Sequence, residues 1–268
     1  RYGALGTMGV GEGGPEIVKQ LLRNTYDIAA PEVILVWLTG EPPRGVGPHD
    51  VAIALCGAVY KNGFVKNKVL EFAGPAVSRL PMDYRIGIDV MTTETACLSS
   101  IWETDEETKR FFEVHGRPEA YKKLSPEDGA YYDRMIELDL SQLEPMIALP
   151  FHPSHTYEID ELNANLSDIL REVEKTEQLI ADNPQLGFSL TDKIVDGKLQ
   201  VQQGIIAGCA GGTYSNIMEA AHILRNAHLG QDEFTLSVYP SSIPVYMDLV
   251  KKGAFTQLLT AGAVIKTA

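Results

Sequence analysis

Short apolar runs, each fenced by proline or glycine, recur along the chain, and between them apolar residues fall at helical spacing. Val33 to Leu38 is almost wholly apolar and lies between Pro31 and the loop Gly40-Glu41-Pro42-Pro43, the pattern of a strand buried on both faces. Val69 to Phe72 reads as a second strand closed by Gly74-Pro75, Ala96 to Trp102 as a third and Ile136 to Leu140 as a fourth. Pro15 follows the glycine-rich stretch Gly9 to Gly14 and suits a first helical position, with Ile17, Val18, Leu21 and Leu22 continuing at helical spacing. Asp50 is placed to cap a helix reaching about Val59, and Asp83 to Met91 reads as helical. Asp105, Glu106 and Glu107 open a further helix, where negative charge meets the positive end. This alternation predicts an α/β chain built of three-layer α/β/α sandwich domains with mostly parallel sheets.

Pro145, Pro150 and Pro153 punctuate a connection that reads as a domain boundary. Residues 1–30 are then the end of a preceding domain, 31–150 one α/β/α domain and 151–268 the start of the next. In the last part, Leu162, Leu166, Ile169, Leu170 and Val173 form one apolar stripe on a charged helix over residues 160–181. Asp196-Gly197 between two apolar pairs is a hairpin signal. Gly204 to Ala207 is an apolar strand ending in a glycine-flanked cysteine, Cys209, with a helix over Tyr214 to Asn226 behind it. Loops at strand carboxyl ends are where open α/β sheets collect ligands.

With 44% hydrophobic residues the chain can bury a substantial core. Its 36 acidic and 23 basic side chains leave a net charge of -13, which repels nucleic-acid backbones and anionic membrane surfaces. No apolar run approaches the roughly 20 residues needed to cross a bilayer. Three cysteines far apart, Cys56, Cys97 and Cys209, make no disulfide framework and fit a reducing, cytoplasmic setting. Arg1 opens within a glycine-rich stretch, and Ala263-Val264-Ile265 starts a strand shortly before Ala268, so both ends read as cuts inside a longer protein.

Several residues can carry chemistry, and each has a plainer reading beside it. Flanking glycines let a metal or cluster approach Cys209 closely, and the helix behind it favours a thiolate; a free cysteine also packs as a small apolar residue. Cys56 and Cys97 sit in apolar runs and are assigned to the core. Glu94 lies between a helix and an apolar strand, where a carboxylate can be tuned for proton handling or simply face water from a loop. His152 and His155 flank Pro153 at metal-ligand spacing, and equally suit a surface loop. Gly9, Gly11 and Gly14, with Glu41 beyond the next strand, match a dinucleotide fingerprint formally, but no strand precedes Gly9. A nicotinamide oxidoreductase and a noncatalytic interaction domain are the competing functional classes.

Taken together, several stretches resemble the aconitase family of cluster-dependent hydratases, which includes aconitate hydratase and the large subunit of isopropylmalate dehydratase. Gly9 to Gly14 is similar to the family's GVGG segment, Pro31 to Gly40 (PEVILVWLTG) to PKVIGVKLTG, and Val69 to Pro75 (VLEFAGP) to VEYHGP. Thr92-Thr93-Glu94-Thr95-Ala96 resembles GAEIGA, and Leu138 to Ser141, Glu144-Pro145 and Ala148 to Pro150 resemble the DLS, EP and ALP elements in the same order. Gly208-Cys209 resembles the GSCTNS loop, Val238 to Ser242 (VYPSS) the TPGS segment, and Gly253 to Ala268 the approach to a Cys-Gly-Pro-Cys motif.

The resemblance implies a lyase that dehydrates and rehydrates a hydroxy-polycarboxylic acid. It implies that Cys209 is one of three thiolate ligands to a 4Fe-4S cluster, the other two lying beyond Ala268. It implies that Glu94 is an active-site acid near iron-bound water and that Ser242 meets substrate. The family's Asp-Ser-His segment falls before Arg1, and its proton-abstracting serine belongs to another domain. Two departures stand out: the family's Thr-Asn-Ser after the cysteine is here Ala210-Gly211-Gly212, and the Asn four residues before the glutamate is here Val90. The expectation is a divergent hydratase whose partners are the remaining domains of the longer protein, with this piece alone inactive and holding no cluster.

Overall fold

A computed structural model describes residues 2–11, 13–181, 187–230 and 233–267; Arg1, Ala268 and, within the Gly9 to Gly14 stretch, Glu12 lie outside them. The chain divides into two compact units, Arg1–Met146 and Ile147–Ala268.

In the first unit, α1 (Gly14–Arg23) carries Pro15 in its first turn and ends at Asn24 in the left-handed conformation. There follow β1 (Val33–Thr39), α2 (Pro48–Val59), β2 (Val69–Ala73), α3 (Met82–Asp89), β3 (Ser99–Trp102), α4 (Glu106–Val114) and β4 (Arg134–Asp139). All four strands are parallel in the order β3-β2-β1-β4. Register places Val36 beside Phe72 and Ile136, and Phe72 beside Trp102. The last two rings stack with centroids 4.3 Å apart, which adds about 0.5–1.5 kcal/mol to their burial.

β1 is buried on one face only, where double-sided burial was expected. Ile34, Val36 and Leu38 are fully buried while Val33, Leu35 and Trp37 are half-buried. The core of this unit, with Val51, Leu55 and Val59 of α2 and Met82 and Ile88 of α3, lies on the first face. On the other face Tyr132 donates its hydroxyl proton to Glu71 Oε1 at 2.9 Å. The 3-10 turn Tyr2–Leu5 brings Ala4 into the same core.

Asp50 does not occupy the cap of α2. Gly47 does, and Asp50 at the third helical position accepts the Gly47 amide at 2.6 Å, because Pro48 already fills the first turn. Asp105 does cap α4, accepting the Glu107 and Thr108 amides. Its carboxylate also receives a bidentate pair of bonds, 3.0 and 2.7 Å, from Arg85, which is wholly buried. Burial works against the Asp105 charge, but Arg85 and the two amides outweigh it and hold the carboxyl below the usual range.

β5 (Met146–Ala148) starts on the last residue of the first unit and pairs in the second with β6 (Thr156–Glu158). The charged helix expected over 160–181 is two helices, α5 (Ile159–Ala164) and α6 (Leu166–Ala181), interrupted at Asn165. The stripe Leu162, Leu166, Ile169, Leu170 and Val173 is buried with Leu149. β7 (Ile194–Val195) and β8 (Lys198–Leu199) form the expected hairpin, with Asp196 and Gly197 both at positive φ, 51° and 75°.

The rest is β9 (Gln203–Ile206), α7 (Gly208–Gly211), α8 (Tyr214–Ile223), β10 (Thr235–Val238), α9 (Ile243–Lys251), α10 (Ala254–Ala261) and β11 (Val264–Ile265). β9 and β11 flank β10 and all three are parallel. Ile217, Val238, Leu249, Phe255 and Leu258 form their core. The carboxyl ends of three adjacent strands therefore open on one side, and the loops after β9 and β10 meet there.

Candidate functional site

Cys209 stands on α7, a single helical turn reached directly from the end of β9. The thiol is exposed. Gly208 enters the turn at φ 82°, a conformation L side chains rarely adopt, and its surroundings are open. At the other end of the turn space is closed. A Cβ on Gly212 would lie 2.6 Å from Tyr239 O, 2.7 Å from Gly208 O and 3.0 Å from Ser241 N, all backbone atoms. Gly212 also accepts the Ser241 amide at 2.8 Å, so the cysteine turn and the loop after β10 are joined backbone to backbone.

That contact gives the departure at Gly212 a physical reason, since a side chain there cannot fit while the two loops touch, whereas a Cβ on Gly211 would meet nothing within 4 Å. Ser242 sits on the same loop and caps α9, its Oγ accepting the Val245 amide at 3.4 Å. The structure thus places the Cys209 and Ser242 loops side by side within the second unit.

Glu94 belongs to the first unit, on the 3-10 turn Thr92–Thr95 between α3 and β3. Its side chain is half-buried. The turn is held by its own hydroxyls: Thr92 donates to Asp89 O at 2.8 Å, Thr95 to Thr92 O at 2.6 Å and Thr93 to Val90 O at 3.3 Å. Beneath it lies a buried polar layer. Asp89 Oδ1 accepts Ser100 Oγ at 2.6 Å and Trp102 Nε1 at 2.9 Å, and Thr92 Oγ1 lies 3.1 Å from Ser100 Oγ.

Both cysteines of this unit bond to the same turn. Cys56 donates to Glu94 O at 3.3 Å and Cys97 to Thr92 O at 3.2 Å. Cys56 is buried, as expected of a core residue, while Cys97 is only half-buried because it precedes β3 at the sheet's end. Burial, and then the nearby charge of Glu94, push the Cys56 thiol up to about 11.

The other candidates are tied into local structure. His152 Nδ1 accepts the Ser154 amide and His155 Nδ1 bonds Pro150 O. Glu41 pairs with Arg79 at 2.9 Å on the surface, and a 3-10 turn, not a strand, leads towards Gly9. The dinucleotide reading therefore lacks its strand. A shallow recess of about 450 Å³ on the first unit is lined by Trp37, Gly74, Glu103 and Tyr132, with Glu103 half-buried and its carboxyl raised by that burial. Among the described residues no three His, Cys, Asp or Glu side chains are grouped to hold a metal ion.

Sequence reasoning missed Asn216. From the first turn of α8 its Nδ2 donates back to Ala210 O at 3.2 Å and Gly211 O at 3.4 Å. The available signal was Thr213 at the cap with an amide side chain three residues on, the spacing at which a side chain turns back over a helix start.

Residues 1–268 match the family model described as the aconitase family (aconitate hydratase) over their whole length. The chain belongs to the aconitase family. It is similar to the 2,3-dimethylmalate dehydratase large subunit of Eubacterium barkeri, 26% identical over 99% of this chain and 55% of that one. It is similar to the 3-isopropylmalate dehydratase large subunit of Clostridium kluyveri, 25% identical over 99% and 54%, and to the 3-isopropylmalate dehydratase large subunit 2 of Rubrobacter xylanophilus, 27% identical over 99% and 54%. The chain spans about half the length of these curated relatives. A solved structure, Thermococcus kodakaraensis aconitase X in its holo-form, matches 88% of this chain and 43% of its own with TM-score 0.40 and 11% identity.

Within the aconitase family frame, Cys209 supplies one exposed thiol at the carboxyl edge of a parallel sheet, with open space on its amino side. That suits one ligand of a cluster. The second unit contains no other cysteine.

Proposed function

We propose that the whole protein is a hydro-lyase that removes and restores water on a hydroxy-polycarboxylic acid, with Cys209 as one of three thiolate ligands to a 4Fe-4S cluster. The observation that carries this reading is the placement of Cys209, in an aconitase-family chain, on a glycine-flanked turn where the loops after β9 and β10 meet. When bound, the cluster supplies a Lewis-acidic iron able to polarise the substrate hydroxyl.

The residues of this chain have separate tasks. Glu94 has no hydrogen bond or ion pair to its carboxylate among the described residues, so it can hold or release a proton at the departing hydroxyl while its turn stays fixed. Ser242 is assigned to substrate, beside the cysteine turn. With one thiolate, this chain by itself holds no cluster and does not catalyse. As in relatives named large subunits, further protein completes the enzyme.

The test is turnover by the whole protein, kept from air, of a panel of hydroxy-polycarboxylates, followed by the ultraviolet absorbance of the unsaturated acid formed. Glu94→Gln is expected to lower kcat on the order of a hundredfold or more. No turnover of any panel member, or an unchanged rate in Glu94→Gln, contradicts the proposal.

A further inference from the structure

We infer that Asn216 is a positioning residue for Cys209, holding the thiol-bearing turn from the following helix; the inference rests on the reading of Cys209 as a cluster ligand. The turn is otherwise weakly determined. Gly208, Gly211 and Gly212 impose little backbone preference, the thiol is exposed, and one internal bond, Gly212 N to Gly208 O at 3.0 Å, closes α7. A four-residue turn with two glycines, followed at once by a third, is not stable on its own.

Two contacts from outside fix it. The backbone bond from Ser241 to Gly212 at 2.8 Å anchors its far end. The forked bond from Asn216 Nδ2 to the carbonyls of Ala210 and Gly211 anchors its middle, directly after the cysteine. Asn216 is itself well placed to do this, because the next residue, Ile217, is fully buried in the core and locks the first turn of α8.

Here the amide comes from the helix and the turn carries only Ala210-Gly211-Gly212, so one side chain compensates for a loop that has no polar side chain of its own. A carboxylate in its place has the same shape but nothing to donate, and would face two carbonyl oxygens. Asn216→Asp therefore separates the hydrogen bond from packing, and Asn216→Gln keeps the amide as the conservative control.

Two readouts test this. In the present chain, hydrogen exchange of amides 209–213 is expected to speed up roughly tenfold in Asn216→Asp, the effect of losing one or two partly exposed hydrogen bonds. Exchange in the first unit should not change. In the whole protein, loaded with iron and sulfide, the rate of iron loss to a chelator and the decay of visible absorption should rise by a similar factor, with the melting temperature little altered and Asn216→Gln closer to wild type.

Unchanged exchange overturns the inference. Faster exchange with unchanged iron loss also overturns it, by showing a role confined to the turn's own stability. If the wild-type protein binds no iron at all, the inference falls together with the hydro-lyase reading, whereas iron held equally by wild type and Asn216→Asp removes the inference alone.

Discussion

The two turns that carry the candidate chemistry are held in opposite ways. The Glu94 turn rests on a buried layer in which Asp89, Thr92, Ser100 and Trp102 bond one another, and its own threonine hydroxyls tie it to the carbonyls of Asp89, Val90 and Thr92. The Cys209 turn lies open, is built from glycine and alanine, and is secured by the Ser241 backbone and one amide side chain. The difference suits the tasks proposed for them. A carboxylate that exchanges protons needs a fixed position and a controlled surrounding. A thiolate ligand needs room on its outer side for the group it binds, so its support must come from behind.

The contrast can be broken most forcefully from the buried side. Asp89→Ala strands the Ser100 and Trp102 donors in the interior and is expected to lower stability by about 2–4 kcal/mol. Both tryptophans, Trp37 and Trp102, lie in the first unit, so denaturation followed by tryptophan fluorescence reports that unit. An unshifted fluorescence midpoint would contradict the role given to the Asp89 layer.

On the open side the expected effect is smaller. Gly212→Ser restores the family's residue but sets a Cβ against three backbone atoms, and is expected to cost about 1–3 kcal/mol through the displaced loop. Hydrogen exchange should speed up around 208–213 and 239–242 and leave the first unit untouched. A variant as protected as wild type would show that the two loops do not touch as described.

The smallest effect concerns the thiols. With Cys56 pushed up to about 11, its thiolate at pH 8 is on the order of one part in a thousand, and it is buried as well. Brief iodoacetamide treatment at pH 8 should therefore label Cys209 and spare Cys56, as read by peptide mass. Because its value is raised on folding, Cys56 contributes stability fully below its unfolded value of about 8.5 and loses it as pH rises through about 11. Equal labelling of both thiols in the folded chain would contradict the burial of Cys56.

Much of this was legible in the chain because periodicity and turn chemistry are local. The four strand runs of the first unit, the acidic start of α4 and the Asp196-Gly197 hairpin all appear close to where their residues place them, the third strand starting at Ser99 instead of Ala96. The break at Asn165 was not legible, since the apolar stripe continues through it from α5 to α6 and conceals the interruption. Nor was the one-sided burial of β1: an unbroken apolar run looks the same whether one face or two are covered.

At the candidate site, Cys209 and Glu94 could be singled out from their neighbours and from family resemblance. Of their supports only Asn216 left a signal, its spacing from Thr213. Asn216, Ser241 and Asp89 act through contacts that depend on how loops and strand ends meet, and no spacing in the sequence encodes the approach of Ser241 to Gly212.

The central claim is that Cys209 binds an iron-sulfur cluster. Iron content and visible absorption of the whole protein, purified under exclusion of air, test it directly when wild type is compared with Cys209→Ser. The account predicts iron and a cluster chromophore in the wild type, and loss of most of both in the variant with its fold intact by circular dichroism. A wild type that is colourless and free of iron, or a variant that keeps its full cluster, would contradict it.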